Sequence, residues 1–298
     1  LHKYSLYFLL PLTCAFGEET DYGFLSQEEI TLFHQQGYLM KRSCLSHEEQ
    51  KQLEEAISKA IDRALQAIAH TYPVVEEEQI VHLDGSRVVY RRNKENIVSI
   101  ARINGCSGLE PSLQEFSCSH KMLKTFFALL GTHDLEHIIS QIHPKLPGDG
   151  IAFSAHRDIQ FRKSFDPDWQ DVLENGSYAI CILPIDPMTP DNGGLWIDTS
   201  SYFLDHTSSN DSSKTWIYAE PGDLLFLHPY ILHGSGPNLS RTESRRTLLT
   251  GFCAFGANHR AYPGTMINIH FHQKEDGSVE SSPAPWSQET FIGPGIGH

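Results

Sequence analysis

Apolar positions change their period partway along the chain. In the N-terminal third, Leu53, Ile57, Ile61, Leu65 and Ile68 recur every three or four residues, the stripe of a helix that packs by one face. Two S-x-x-E sequences, Ser26–Glu29 and Ser46–Glu49, stand ahead of helical stretches. In each, the hydroxyl and the later carboxylate can satisfy free N–H groups of a first turn. They predict a short helix to about Gln36 and a long one to about Ala69. Asp84-Gly85, between β-rich segments from Val81 to Tyr90, predicts a hairpin. His120 to Leu130, closed by Gly131, reads as another amphipathic helix.

From His137 onward short apolar runs replace the helical stripes. Ile138–His143, Ile151–Ser154, Tyr178–Ile185, Leu195–Asp198, Trp216–Ala219, Leu224–Leu227 and Thr247–Phe255 are separated by Pro, Gly, Asn and Asp turns. Many short strands of this kind predict a sandwich, barrel or jelly roll, and no period of 20–50 residues marks a repeat. The expected plan is an α+β single domain over residues 25–298, with an arm at 1–24. Its N-terminal helices pack on a β core of about 137–257, and an irregular tail covers 258–298.

Composition narrows the function classes. A chain of 298 residues, 40% hydrophobic and 20% charged, can bury a large core. Its 23 Lys and Arg against 37 Asp and Glu give a net charge of -14, which argues against nucleic acid or an anionic membrane as main partner. Six cysteines without a CxxC pair fit reduced thiols in the cytoplasm better than a disulfide framework. The sequence starts at Leu1, and Tyr4 to Phe16 imitates the core of a secretory signal. Pro11 interrupts that run and no small-x-small site follows, so a signal is disfavoured. No run approaches the ~18 apolar residues of a membrane span. A soluble, cytoplasmic protein is expected, with a monomer favoured.

Candidate chemistry concentrates in Glu220 to Gly251, EPGDLLFLHPYILHGSGPNLSRTESRRTLLTG. An apolar run ends at His233, a Gly/Ser/Pro/Asn turn follows, and Arg245-Arg246 open a second run. Upstream stands His156-Arg157-Asp158; alternation on a strand would put His156 and Asp158 on one face. Two imidazoles and a carboxylate suit non-haem Fe(II), because they fill three coordination positions and leave three open. Seventeen histidines make any one of them weak testimony, and Asp158 could equally cap a turn. Oxygen activation by Fe(II) needs further electrons, usually from 2-oxoglutarate. The distal carboxylate of that cofactor calls for a buried cation, which the planar fork of Arg matches best. Arg245 and Arg246 stand 12 and 13 residues after His233, and alternation lets only one face inward.

With these residues in view, a resemblance emerges. PGDLLFLHPYILHGSGPN followed by RR, with H-R-D upstream and D-N-G-G-L between, resembles the phytanoyl-CoA dioxygenase family of Fe(II)/2-oxoglutarate oxygenases. Phe33 to Tyr38, Leu45 to Glu49, and IHPKLPG from Ile142 to Gly148 are similar to further family segments, so the likeness spans roughly 25–257. It implies a double-stranded β-helix of the jelly-roll or cupin-like kind. It also implies His156, Asp158 and His233 as iron ligands, Arg245 in preference to Arg246 for the distal carboxylate, and Ser235 and Lys145 beside it. Read alone, Lys145 is an exposed strand-end lysine. His228 reads as a packing histidine, and His259, His270 and His272 as surface or substrate-side residues. Trp196 to Ser201 departs from the family's usual Pro-Gly-Ser-His turn. The segment Arg87 to Ile103, with Tyr90, Arg91, Arg92 and Arg102, is the expected pocket rim. The implied activity consumes O2 and 2-oxoglutarate, releases succinate and CO2, and hydroxylates a small molecule. A cupin-like metal enzyme without 2-oxoglutarate, or a silent binding module, stays open as an alternative.

Overall fold

The computed structural model of the chain describes residues 22–203, 214–262 and 268–286. Both S-x-x-E sequences form capping boxes. The Glu29 N–H donates to Ser26 Oγ at 3.3 Å and the Ser26 N–H to Glu29 Oε2 at 2.8 Å, opening α1 (Gln27–Gln36). Ser46 and Glu49 repeat the arrangement at the start of α2 (His47–Ala69). Gly37 ends α1 at φ 81°, and a Cβ there would also strike the Tyr202 ring at 2.6 Å.

The strands in chain order are β1 (Tyr38–Lys41), β2 (Glu78–Leu83), β3 (Ser86–Arg92) and β4 (Val98–Asn104). After α3 (Ser112–Ser117) and α4 (His120–Leu130) come β5 (Asp134–His143) and β6 (Phe153–His156), then α5 (Asp158–Phe165). The rest are β7 (Tyr178–Pro184), β8 (Leu195–Asp198), β9 (Lys214–Trp216), β10 (Leu224–Leu227), β11 (Leu232–Ser235), β12 (Thr247–Ala254), β13 (Ile269–Gln273) and β14 (Val279–Pro283). The large antiparallel sheet runs β1-β10-β7-β12-β5-β4-β3-β2, with β13 joined to β5 and β14 to β13. The small sheet runs β6-β11-β8-β9. Together the two sheets form the expected double-stranded β-helix.

Strand alternation divides the large sheet between two cores. Ala179, Cys181, Leu183, Leu224, Phe226, Leu248 and Phe252 face the helices and pack with Ile57, Ile61 and Phe126. Tyr178, Ile180, Ile182, Leu225, Leu227 and Leu249 face the small sheet and pack with Leu195, Ile197 and Ile231. Burial on both sides explains why these strands read as continuous apolar runs. The functional cavity lies within the second core.

Two expected boundaries need correction. The core begins well before residue 137, because the hairpin β2–β3 and β4 extend the large sheet through the Ile103–Ile142 pairing. The tail is not irregular throughout: β13 and β14 form a hairpin on its edge. Ile269 and Phe271 supply the alternating apolar positions there, while His270 and His272 on the other side approach Asp134 at 2.9 and 2.8 Å. Those histidines hid the strand pattern and are sheet-edge groups. The arm over residues 1–21 and the last residues, 287–298, lie outside the described residues. No helix among the described residues is long and apolar enough to cross a membrane. Five cysteines there are free thiols.

Candidate active site

β11 carries the centre of the site because it is paired on both sides. His233 stands opposite His156 of β6 and opposite Ile197 of β8. The two imidazole centroids are 4.3 Å apart. The ladder with β6 then slips, Ser235 falling opposite Phe153, a bulge of the kind that re-aims a side chain. Gly234 permits this approach: a Cβ would meet the Trp196 ring at 2.7 Å and the Phe153 carbonyl at 2.9 Å.

Asp158 reaches the histidines differently from the expectation. It is the first residue of α5 and not a strand neighbour of His156. The Ile159 N–H donates to the Pro229 carbonyl at 3.2 Å, and Arg157 Nη1 donates to the Tyr230 carbonyl, so the helix start is tied to the turn before β11. Asp158 Oδ1 lies 3.7 Å from His156 Nε2 and 3.8 Å from His233 Nε2, beyond hydrogen-bond reach. Each imidazole engages a backbone carbonyl through Nδ1, Ser154 O at 2.7 Å and Ile231 O at 3.1 Å. Those contacts place the ring proton on Nδ1 and turn a lone pair on Nε2 toward the centre. Burial, with His233 next to it, pushes His156 down to about 4, so that ring is neutral at physiological pH. Asp158 Oδ2 is buried without a hydrogen-bond partner among the described residues. Two imidazoles and a carboxylate with an idle buried oxygen, their ligand atoms within 4.8 Å of one another, fit a divalent cation.

The second half of the site lies along the same cavity. Arg245 is 3% exposed; its Nε donates to the Gly193 carbonyl at 3.0 Å and its Nη1 to Thr247 Oγ1 at 3.1 Å. Nη2 is buried with no partner among the described residues. An idle donor on a buried cation carries a desolvation penalty that an anion would relieve. Burial lowers Arg245 to about 10, which leaves it charged at neutral pH. Lys145 is fully buried, so the exposed reading fails. Its Nζ donates to Ser235 Oγ at 2.7 Å, to Gly193 O at 3.2 Å, and to Gly236 O. Burial, then the charge of Arg245, pushes Lys145 down to about 6. Its backbone adopts φ 31°, unfavourable for a non-glycine residue by about 1 kcal/mol. Asn238 holds that turn, its Nδ2 donating to the carbonyls of Lys145, Leu146 and Glu243 at 2.8, 3.2 and 2.8 Å. Arg245 and the Lys145–Ser235 pair are thus gathered around the Gly193 carbonyl.

Arg246 points the other way. It is held by Asp186 at 2.6 Å and Glu54 at 3.1 Å, so the arginine that does not face inward is ion-paired. His228 is buried among Phe33, Tyr202 and Tyr230, and burial pushes it down to about 3; it packs, as read from sequence. The expected rim dissolves in part. Tyr90 is buried on the helix side with its hydroxyl on Thr71 at 2.8 Å. Arg92 donates to the Ile68 carbonyl at 2.7 Å near the end of α2. Arg102 alone of the four reaches the cavity of the triad. Sequence reasoning also passed over Asn238, Thr247, Arg162 and Tyr178. Asn238 belonged to the HGSGPN string without a role, and Arg162 stands one helical turn after Asp158, a relation visible only once α5 is known to start there.

A jelly roll holding a 2-His-1-carboxylate cluster beside a buried arginine defines the class of non-haem iron oxygenases. The family model of phytanoyl-CoA dioxygenase (PhyH) matches residues 33–247, and the chain belongs to that family. Fe(II) and 2-oxoglutarate are the cofactors of this family. Solved structures share the fold at low identity. The α-ketoglutarate-dependent carbocyclase SnoK from nogalamycin biosynthesis is 16% identical, with 83% of this chain and 90% of that chain covered at a TM-score of 0.58. EctD from S. alaskensis, in its apoform, is 16% identical with 80% of each covered and a TM-score of 0.61. AviO1 from Streptomyces viridochromogenes Tue57 is 13% identical, with 79% of this chain and 98% of that chain covered at a TM-score of 0.55. No curated protein sequence matches the chain.

Proposed function

We propose that this protein is an Fe(II)/2-oxoglutarate-dependent dioxygenase that hydroxylates a small molecule. In this reading His156, Asp158 and His233 hold the metal, and Arg245, with Lys145 and Ser235, holds the distal carboxylate of 2-oxoglutarate. One observation carries it: a single cavity is lined both by the three converging ligand atoms and by a buried guanidinium with an idle N–H. A metal site without 2-oxoglutarate would have no use for that second feature.

The roles of the side chains follow from their surroundings. The imidazoles donate lone pairs from Nε2, and the carbonyls of Ser154 and Ile231 fix their tautomers. Arg245 is held from behind by Gly193 and Thr247, so Nη2 is free to donate to the cofactor without reorganising. Ser235 orients the Lys145 amine, and Asn238 keeps the turn that delivers it. Ile139, Ile180, Ile182 and Leu249 line the cavity and exclude water, which strengthens each polar contact inside. When bound, iron supplies the coordination positions at which O2 and the keto acid react, giving succinate, CO2 and the oxidising equivalent. Asp158 supplies a carboxylate where halogenating relatives carry a small residue, which favours hydroxylation over halide transfer.

Incubation with Fe(II), 2-oxoglutarate and O2 is expected to release succinate, and Asp158→Ala to abolish it. Tight metal binding with no 2-oxoglutarate binding would favour the cupin-like alternative. Binding of neither would favour the silent module.

A further inference from the structure

Arg162 lines this cavity together with Arg245 and Arg102, and the cofactor reading gives it no task. It lies four residues after Asp158 on α5, one helical turn on and on the same face. Its guanidinium sits over the Tyr262 ring at 4.5 Å and near the Tyr178 ring at 5.6 Å. Nε and Nη1 are closed off from solvent with no hydrogen-bond partner among the described residues. Asp158 makes its 4 Å contacts with His156 and His233 instead. The two rings soften the desolvation of a guanidinium and the Tyr262 hydroxyl supports its charge, but neither meets Nε or Nη1, so two buried donors stay idle.

Its position separates it from the cofactor cradle. In the β7–β12 ladder Tyr178 pairs with Cys253, whereas Pro184 pairs with Thr247, the residue bonded by Arg245. The two arginines therefore lie by opposite ends of β7, whose extended backbone covers roughly 20 Å. A five-carbon diacid spans only about 5 Å, well short of the strand length between the two positions. Between them the lining from Ile139, Ile180 and Leu249 is apolar.

We infer that Arg162 anchors a carboxylate of the substrate, and that the enzyme acts on a small molecule with an anionic head and an apolar body. The inference rests on the oxygenase reading above, since Arg245 must already be assigned to 2-oxoglutarate. A carboxylate matches the fork of Arg162 bidentately, and α5 then links the anchor rigidly to Asp158.

Calorimetric binding of 3-phenylpropionate and of 3-phenylpropionamide, to protein loaded with Mn(II) and saturating 2-oxoglutarate, tests it without turnover. The acid is expected to bind at least ~10-fold more tightly than the amide, the increment of one charge-assisted contact. Arg162→Gln should erase the preference and Arg162→Lys retain part of it, both binding 2-oxoglutarate within ~2-fold of the unsubstituted protein, which also shows that they fold. Equal binding of acid and amide, or binding of neither, with 2-oxoglutarate in place overturns the anchor alone. Loss of 2-oxoglutarate affinity in Arg162→Gln also overturns it, by giving Arg162 to the cofactor's own metal-side carboxylate. Failure of the unsubstituted protein to bind 2-oxoglutarate overturns the oxygenase reading itself.

Discussion

Arg245 and Arg246 are sequence neighbours with opposite surroundings, the first buried beside Lys145 and Gly193, the second ion-paired to Asp186 and Glu54. Their substitutions should separate binding from stability. Arg245→Met is expected to weaken 2-oxoglutarate binding roughly 100-fold, the loss of charge-assisted hydrogen bonds to one carboxylate. Arg246→Met should leave that affinity within ~2-fold and lower stability by about 1–3 kcal/mol, because Asp186 loses its partner in a half-buried setting. Titration calorimetry and denaturant unfolding read the two effects. The residue types of the site were legible because His156, Asp158, His233 and the arginine pair have chemistry that few other roles explain. Lys145 was not: a lysine before a Pro-Gly turn reads as exposed, and its burial depends on acceptors at Gly193, Ser235 and Gly236, brought from distant parts of the chain. Arg162 was hidden for a related reason, since its relation to Asp158 needs a helix where alternation suggested a strand.

At the scale of elements, the site depends on how closely β6, β11 and β8 approach. Gly234 sits at the centre of that contact, and a Cβ would press on backbone at Phe153 O as well as on the Trp196 ring. Backbone cannot yield there without opening the β6–β11 ladder that sets His156 opposite His233. Gly234→Ala is expected to lower stability by about 1–3 kcal/mol and to impair metal binding together with it; an unchanged melting temperature with normal metal affinity would contradict this. The capping boxes, the α2 stripe and the double-buried strands were legible because each is local and periodic. The β13–β14 hairpin was not, since His270 and His272 alternate with Ile269 and Phe271 in a pattern that reads as a polar tail. The slip between His233 and Ser235 leaves no mark in the sequence beyond the glycine.

The whole molecule is closed at its C-terminal edge by Glu136 of β5. Its Oε1 accepts from Asn258 at 2.8 Å and from Asn268 and Trp286 at 2.6 Å, joining three late segments to the core. Burial raises this carboxyl to about 7 despite those donors. The folded state thus keeps the proton over the interval from about 4.5 to about 7, where the unfolded chain has released it. Stability must fall as pH rises through that interval and stay at the lower value above it. Glu136→Gln keeps the acceptor and removes the charge, so its unfolding free energy should flatten over the same range, a difference of up to ~3 kcal/mol. Denaturant melts at several pH values measure it, and parallel profiles for the two proteins would contradict it. At this scale the fold class was legible from the order of helices and strand runs, while the closure was not, because Glu136, Asn258, Asn268 and Trp286 are scattered polar and aromatic positions with no shared period. The central claim, that the triad and Arg245 form one cofactor site, is tested most directly by anaerobic titration of the Fe(II)-loaded protein with 2-oxoglutarate. The expected result is a visible charge-transfer absorption that saturates at one equivalent, is absent in Asp158→Ala and needs far more 2-oxoglutarate in Arg245→Met. An Fe(II)-loaded protein that shows no such absorption and no 2-oxoglutarate binding would contradict it.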